Sequence, residues 1–232
     1  MSNGPVIRLK DLHLSLGAGA ARVHILKGID LDIGRGETVG IVGPSGSGKS
    51  TLLMVMGGLE KADQGSVEVA GQTLNDLNED QLAQFRGRNI GIVFQSFHLI
   101  PNMTALENVA VPLELAGESA AFDRARAELQ AVGLGERLQH YPAAMSGGEQ
   151  QRVAIARSLV SHPAIIIADE PTGNLDDATG KQIVDLMFGA SRERGTTLVL
   201  VTHDTNLAKQ CDRMVRVRSG LIEQDANALA EA

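Results

Sequence analysis

The sequence predicts an α/β fold with a mostly parallel core sheet, an antiparallel β subdomain near the N-terminus and an inserted helical subdomain. Three short runs, 38–42, 164–168 and 197–201, are continuously apolar and rich in β-branched residues. Such runs are typical of parallel strands that are covered on both faces. Helical patterns separate the runs, and strands that alternate with helices indicate a layered α/β core. The helical patterns lie near 49–59, 149–160 and 176–192.

The antiparallel part is predicted from hydrophobic alternation in the first third of the chain. Residues 6–16 and 23–33 alternate between apolar and polar side chains, as half-buried antiparallel strands do. The stretch 17–21 is glycine-rich and consists of small residues, and we expect it to form the turn between these two strands. Residues 66–74 predict a second, shorter hairpin around Gly71.

The sequence of the middle of the chain predicts helices and no central strand. Residues 96–145 show no convincing central strand. Thr104 and Glu107 have the spacing of a capping box, which indicates a helix start. Gly117 and Gly133 are placed where further helices would end.

The expected organisation is a single domain over 1–232. The helical subdomain takes up about 96–160, and we expect a loosely ordered tail over 225–232.

Composition limits the possible functions. The chain has 21 Lys and Arg against 28 Asp and Glu, a net charge of −7, so we expect no nucleic-acid partner. Its one cysteine, Cys211, cannot form an internal disulfide, which fits a reducing compartment. The first residues lack the apolar segment of a secretory signal. The longest uncharged stretch, 89–106, is interrupted by polar residues and proline, so a membrane role would need a partner.

A phosphate-binding loop is the most specific motif. Residues 43–51 match G-x-x-x-x-G-K-[ST] between an apolar strand and a helical pattern. Its backbone N–H groups and the helix N-terminus suit a polyphosphate. Lys49 would lie between the terminal phosphates and Ser50 would bind Mg²⁺. The alternative is an ordinary glycine-rich turn. The candidate nucleotide-binding residues are Gly43, Pro44, Ser45, Gly46, Ser47, Gly48, Lys49, Ser50 and Thr51.

Two adjacent carboxylates end the apolar run 164–168. Ligands of α/β folds bind at the carboxyl ends of the strands. Asp169 suits a role in holding Mg²⁺ through water, and Glu170 suits polarising an attacking water. The alternative is a solvated strand end before Pro171.

Weaker signals occur at three further places. Ser146, followed by two glycines, opens a helix and could form a second anion site, although the residues alone favour an ordinary well-capped helix. Two phosphate sites about 100 residues apart need either one folded pocket or two chains facing each other. His203 ends an apolar strand and could bind a phosphate, and Gln95 could orient water or metal. A structural role is the alternative for both.

In this order, the motifs resemble those of the ATP-binding subunit of an ABC transporter, a P-loop NTPase. The resemblance covers residues 6–223. It comprises Walker A at 43–51, the Q-loop residue Gln95, the signature at 145–149, Walker B at 165–169 followed by Glu170, the D-loop at 174–176 and the H-loop residue His203.

The resemblance implies a mechanism with two ATPase subunits closed head-to-tail around two ATP molecules. The Walker A loop of one chain and the signature of the other would hold each nucleotide. Glu170, His203 and Gln95 are then the catalytic residues. The implied Mg²⁺ residues are Ser50, Gln95 and Asp169, and the residues added to the nucleotide site are Ser146, Gly147, Gly148, Glu149 and Asp176.

The implied partners are a second copy of the chain and a separately encoded integral-membrane permease. The chain would then lie in the cytoplasm, on the inner face of the cell membrane. The segments 93–97, 104–109 and 170–176 resemble the lipoprotein-release and macrolide-export group, in particular its YbbA-type ATPases. Apolar residues after Gln95 are the candidate docking surface for the permease, with packing inside the helical insertion as the alternative. They are Phe97, Leu99, Ile100 and Met103.

The sequence departs from the family pattern at three positions, one of which, Met145 in place of the commoner leucine of the signature, is a mild apolar replacement. Leu16 stands where the family usually has an aromatic residue that stacks on adenine, so the stacking contribution is absent, although Leu16 and Val23 could still give apolar contact. Glu149 replaces the commoner glutamine and places a carboxylate near phosphates.

Two other functions fit parts of the pattern. One is a soluble ABC ATPase acting on ribosomes or DNA, which usually joins two cassettes or inserts coiled coils. The other is a nucleotide-switched regulator of a membrane complex that does not turn over ATP.

Overall fold

The computed structural model describes residues 4–227. The chain divides into two compact units, one formed by residues up to Ala83 and from Gly195 onward, the other by Gln84–Arg194. Within residues 4–227, every helix is too short or too polar to cross a bilayer.

The described residues form strands and helices along the whole range 4–227. In chain order they are β1 (Ile7–Leu16), β2 (Val23–Ile33), β3 (Thr38–Val42), α1 (Lys49–Met56), β4 (Gln64–Val69), β5 (Gln72–Thr73), α2 (Glu79–Asn89), β6 (Ile90–Phe94), α3 (Ala105–Leu115), α4 (Ala121–Ala131), α5 (Gly147–Leu159), β7 (Ile165–Asp169), α6 (Asp177–Arg194), β8 (Thr197–Val201), α7 (Thr205–Ala208), β9 (Arg213–Arg218) and β10 (Leu221–Asn227).

The first unit contains the predicted antiparallel sheet, with strand order β2-β1-β4-β5. The predicted alternation is confirmed in β2, where Ile29, Leu31 and Ile33 are buried and the aspartates between them are exposed. The short hairpin is also confirmed, because β4 pairs with β5 across Gly71, which has a φ of +81°.

A second, mixed sheet in the same unit carries the phosphate loop. β3 lies between β8 and β9 and runs parallel to both. All residues of β3 and β8 are buried, as their continuous apolar runs predict.

The tail prediction is wrong for its first residues. β10 pairs antiparallel with β9, and this ladder includes Asp225 opposite Val215. Asp225 also forms an ion pair of 3.1 Å with Arg213. Backbone pairing and this contact therefore order residues 225–227. The rest of the predicted tail, 228–232, lies outside the described residues.

The second unit combines a parallel strand pair with a helical cluster. β6 pairs with β7, and Phe94 lies opposite Asp169. The helices α3, α4 and α5 bury a common apolar cluster that includes Val109, Leu129 and Val153. The capping box at the start of α3 is confirmed: the amide of Thr104 donates to Glu107 Oε2 at 2.7 Å, and the amide of Glu107 donates to Thr104 Oγ1 at 3.2 Å.

Candidate functional site

The phosphate loop connects the buried strand β3 to α1. Gly48 caps the helix with a φ of +104°, a left-handed conformation that glycine adopts without a steric penalty. A Cβ on Gly43 would lie 2.0 Å from the carbonyl oxygen of Val217, so only glycine fits there. The loop can therefore turn its backbone toward a ligand. Pro44, Ser45 and Gly46, which form its outer part, are exposed.

Lys49 is folded into this loop. It is only 8% exposed, and its ammonium donates to the carbonyl oxygens of Gly43 at 2.9 Å and Pro44 at 3.1 Å. The hydroxyl of Ser47 is buried and has no hydrogen-bond partner among residues 4–227. A buried cation beside an orphaned hydroxyl fits a polyphosphate. Ser50 and Thr51 follow in the first turn of α1.

The turn between β9 and β10 supports the loop from its other side. The amide of Gly220 donates to the carbonyl oxygen of Ser47 at 2.9 Å, and the amide of Lys27 in β2 donates to the carbonyl oxygen of Gly220, also at 2.9 Å. A Cβ on Gly220 would lie 2.0 Å from the carbonyl oxygen of Ile25. Gly220 therefore ties the loop to the antiparallel sheet, a contact that the sequence analysis missed.

Leu16 and Val23 are directly opposite each other in the β1–β2 ladder. Leu16 is half-buried and Val23 is 57% exposed. Two residues further along β2, Ile25 lies against the phosphate loop, since a Cβ on Gly48 would lie 3.4 Å from Ile25 Cγ2. The strand that carries Val23 thus runs beside the loop, with apolar side chains where a base could pack.

His203 lies at the carboxyl end of β8, the neighbour of β3. The amide of Thr202 donates to the carbonyl oxygen of Ile41 at 3.1 Å, which keeps the two strand ends together. His203 is exposed, and the next residue, Asp204, caps α7 by accepting from the amide of Asn206 at 2.8 Å. The structure therefore places His203 at the same sheet edge as the phosphate loop.

The second set of candidate residues lies in the other unit. Because Phe94 and Asp169 are opposite each other in β6 and β7, Gln95 and Glu170 follow them at the same carboxyl edge. Asp169 and Glu170 are half-buried. Glu170 has a φ of +46°, an uncommon conformation for a residue with a side chain and one that recurs at functional sites.

The D-loop residues are joined to Gln95. Gln95 Nε2 donates to Asn174 Oδ1 at 3.4 Å, and Asn174 Nδ2 donates to the carbonyl oxygen of Gln95 at 3.0 Å. Asp176 Oδ1 accepts from the amide of Thr179 at 3.0 Å at the start of α6. Hydrogen bonds from the Thr179 side chain and amide hold the pKa of Asp176 below its usual value.

The signature segment begins α5 with a second capping box. The amide of Ser146 donates to Glu149 Oε2 at 2.8 Å, and the amide of Glu149 donates to Ser146 Oγ at 3.3 Å. Arg137 Nε lies 3.0 Å from Glu149 Oε1. Hydrogen bonds from the Ser146 amide and side chain, followed by the charge of Arg137, lower the pKa of Glu149. This carboxylate is thus turned back on its own helix and paired with a cation.

The amides of Gly147 and Gly148 have no acceptor among residues 4–227. A Cβ on Gly147 would lie 3.3 Å from Leu175, and one on Gly148 would lie 2.5 Å from Thr179. The start of α5 therefore packs beside the D-loop and has two N–H groups available for an anion.

Several contacts around these groups were not predicted from the sequence. Gln151 is fully buried and its Nε2 donates to the carbonyl oxygen of Pro171, next to Glu170, at 2.6 Å. Asn174 and Arg137 contact Gln95 and Glu149 as described above. The spacing of Ser146 and Glu149 signals a capping box as clearly as that of Thr104 and Glu107. The contacts of Gln151 and Arg137 have no such local signal.

The residue types suit Mg²⁺ better than a metal held by protein ligands alone. No group of three or more His, Cys, Asp or Glu side chains within residues 4–227 could hold a metal ion. Mg²⁺ usually keeps several waters and takes one or two protein ligands together with substrate phosphates. The oxygen-bearing side chains of Ser50, Gln95 and Asp169 fit that chemistry.

The predicted docking stretch is half-buried. Leu99 packs against the helical cluster, as the packing alternative requires. Phe97, Ile100 and Met103 are each partly exposed.

Comparison with known proteins gives concordant results. A family model for the ABC transporter matches residues 26–173, more than half of the chain. The chain is 49% identical to the "Uncharacterized ABC transporter ATP-binding protein YbbA" of Escherichia coli strain K12, over 95% of this chain and 98% of the relative. It is 45% identical to the lipoprotein-releasing system ATP-binding protein LolD of Alcanivorax borkumensis, over 95% and 97%. For the macrolide export ATP-binding/permease protein MacB of Marinobacter nauticus the identity is 46%, over 98% of this chain and 36% of the relative.

Solved structures agree with the predicted fold. A dimeric ATP-binding cassette, MJ0796, in a post-hydrolysis state with ADP and Pi superposes with a TM-score of 0.89 at 41% identity, over 96% of this chain and 98% of that chain. A second dimeric structure of the same bacterial ABC transporter cassette gives 0.88 at 42% identity, with the same coverage. The fold class and the family resemblance are confirmed, and the chain belongs to the ABC transporter family as one of its ATP-binding cassettes.

Proposed function

We propose that this chain hydrolyses ATP and that cycles of ATP-dependent dimer closure drive a separately encoded membrane permease. The observation that carries the proposal is the pair of incomplete anion sites. One is the phosphate loop with its buried Lys49, and the other is the start of α5 with the bare amides of Gly147 and Gly148. Two copies arranged head-to-tail would complete each site with the other. The dimeric state of the similar MJ0796 cassettes supports this arrangement.

Each candidate residue has a role in this proposal. Lys49 and the loop amides bind the terminal phosphates, and His203 hydrogen-bonds the γ-phosphate. Leu16 provides apolar contact for the base, and Asp176 lies at the seam of the dimer. Mg²⁺, held by Ser50, Asp169 and Gln95 with water, would neutralise charge on the phosphate oxygens.

Glu170 is the proposed general base. Its unusual backbone conformation and the bond from Gln151 to the carbonyl oxygen of Pro171 hold the backbone of this segment at the sheet edge that Gln95 shares. From there it accepts a proton from the attacking water. Ser146 places its hydroxyl beside the bare amides, where the γ-phosphate of the nucleotide on the other copy would bind.

The permease is proposed as a separate chain because of the lengths of the relatives. The chain matches nearly the whole of LolD and YbbA but only about a third of MacB, whose name includes a permease. Bound to such a permease, the cassette would lie on the cytoplasmic face of the membrane.

The test is Glu170→Gln, which keeps the size of the side chain but cannot accept the proton. Steady-state ATP hydrolysis should fall by ~10²–10⁴-fold, while ATP binding persists. Size-exclusion chromatography with ATP and Mg²⁺ should then show an accumulated dimer. Glu114→Gln, on an exposed part of α3, is the matched control and should behave like the parent. Parent-rate hydrolysis by the Glu170→Gln protein would remove Glu170 from the mechanism. If the parent chain binds ATP but does not hydrolyse it, the alternative function, a nucleotide-switched regulator of a membrane complex, is favoured.

A further inference from the structure

The loop that follows Gln95 has a strained backbone. Phe97 and His98 both have left-handed conformations, with φ of +59° and +49°. Side chains of this size rarely adopt positive φ, and two consecutive examples need support from their surroundings. The loop itself supplies only the bond from the Phe97 amide to the carbonyl oxygen of Phe94, the bond from the His98 amide to Ser96, and a ring contact between Phe94 and His98.

Arg157 supplies the remaining support. Its Nη1 donates to the carbonyl oxygen of His98 at 2.7 Å, and its Nη2 donates to the carbonyl oxygen of Phe97 at 2.9 Å. The planar guanidinium therefore bridges the two strained residues with two charge-assisted hydrogen bonds. Burial lowers the pKa of Arg157, so this group has given up much of its hydration.

The helix that carries Arg157 also contacts the loop at its other end. α5 begins at the signature, and a Cβ on Gly147 would lie 3.6 Å from Phe97 Cζ. The ring of Phe97 thus lies beside Gly147 in the first turn, while the Phe97 carbonyl oxygen is held by Arg157 ten residues later. One helix therefore contacts both the proposed second phosphate site and the start of the docking stretch, just after Gln95.

We propose that Arg157 is a positioning residue that fixes residues 95–98 relative to α5. Engagement of a nucleotide at Ser146 is then transmitted to Gln95 and to the docking stretch. This inference rests on the proposed function, because it assigns α5 the coupling of the second phosphate site to the partner surface. Loss of the two bonds should release the strained backbone without altering the phosphate loop.

The direct test is hydrogen exchange on the full chain. In Arg157→Gln, the amides of Phe97 and His98 should exchange at least about tenfold faster than in the parent, since the carbonyls beside them lose charged donors. Arg157→Lys retains the positive charge but not the planar guanidinium that makes both hydrogen bonds, so the exchange rate of these amides should be intermediate. The matched control is Arg124→Gln, because Arg124 donates to the carbonyl oxygen of Val160 at 2.7 Å, beyond the end of α5. It should leave residues 95–98 unchanged.

A kinetic measurement separates positioning from a general packing role. Arg157→Gln should lower kcat for Mg-ATP hydrolysis by about tenfold, with the affinity for ATP within twofold of the parent. Equal exchange rates at Phe97 and His98 in parent and Arg157→Gln would overturn the proposal, as would the same acceleration in Arg124→Gln. Failure of both Arg157 variants to fold would assign the side chain to the core and overturn it too. If the parent does not hydrolyse ATP, the proposed function fails while the exchange result still decides whether Arg157 holds the loop.

Discussion

Helices α3 and α5 begin with the same local device and use it differently. Thr104 with Glu107 and Ser146 with Glu149 form closed capping boxes with nearly equal hydrogen-bond lengths. In each box the two side chains satisfy one another's backbone amides. The first turn, and not the cap, distinguishes the two helices.

In α3 the first turn is closed. The amides of Ala105 and Leu106 donate to the carbonyl oxygens of His140 and Leu138, at 2.8 and 2.9 Å, and both side chains are buried. In α5 the corresponding residues, Gly147 and Gly148, have no side chain and no acceptor among residues 4–227. A helix start can therefore serve as an anion site only where its free amides are left uncovered.

The largest effect that tests this comparison is expected from Ser146→Arg. In a Glu170→Gln background the long side chain would cover the bare amides, and the ATP-dependent dimer should fall below about a tenth of its parent level. Binding of ATP to the monomer should remain, because the phosphate loop is intact. Size-exclusion chromatography with ATP and Mg²⁺ measures the first effect, and equilibrium dialysis the second. Ser119→Arg, at an exposed position after α3, is the control. If Ser146→Arg forms as much ATP-dependent dimer as the Glu170→Gln protein alone, the start of α5 is an ordinary capped helix end and not an anion site.

The next largest effect concerns the closed helix start. Leu106 is 6% exposed, and Leu106→Ala should lower the free energy of unfolding by about 2–4 kcal/mol through a cavity in the helical cluster. Urea denaturation measures this loss. At a temperature where the variant is folded, the Glu170→Gln dimer should form with unchanged ATP dependence. A selective loss of dimer would mean that α3 also takes part in nucleotide binding.

A smaller effect should come from the cation beside Glu149. Arg137→Gln removes an exposed ion pair and should change stability by less than about 1 kcal/mol. It also leaves the Glu149 carboxylate unpaired near the proposed phosphate site, so the ATP concentration for half-maximal dimer should rise roughly threefold to tenfold. Adding Glu149→Gln should restore dimer formation. If the double variant is as weak as Arg137→Gln alone, Arg137 acts by some means other than pairing with Glu149.

The smallest effect is a pH dependence of the α3 cap. Bonds from the amide and hydroxyl of Thr104 lower the pKa of Glu107 in the folded protein. A lowered folded pKa stabilises the protein above the unfolded pKa, near 4.5, and that stabilisation is lost as pH falls through the folded value. The difference in unfolding free energy between parent and Glu107→Gln should therefore shrink from pH 6 to pH 3. A difference that grows over this range would contradict the assignment.

The features that the sequence predicted correctly are mostly local. Alternation placed β1 and β2, continuous apolar runs placed β3, β7 and β8, and the spacing of Thr104 and Glu107 placed the start of α3. Each of these patterns involves residues of a single strand or helix, so it can be recognised in the sequence without knowing the rest of the fold.

The contacts that escaped prediction join distant segments. Arg157 reaches Phe97 and His98 about 60 residues away, and Gly220 reaches Ser47 about 170 residues away. Neither the residue type nor the sequence spacing of Arg157 or Gly220 indicates such a distant partner. The ordered part of the tail was missed for the same reason, since Asp225 takes its place from the ladder with β9 and not from its own composition.

The bond between Gly220 and Ser47 also has a consequence for protein synthesis. The phosphate loop leaves the ribosome early, but the strand β9 beside β3 and the turn that holds Ser47 are made more than 160 residues later. At 5–20 residues per second, this delay lasts about 10–30 s. During that time Lys49 lacks its finished surroundings. A nascent or prematurely terminated chain that lacks β9 and Gly220 therefore carries the complete loop sequence without the backbone contacts that hold β3 and Ser47 in place.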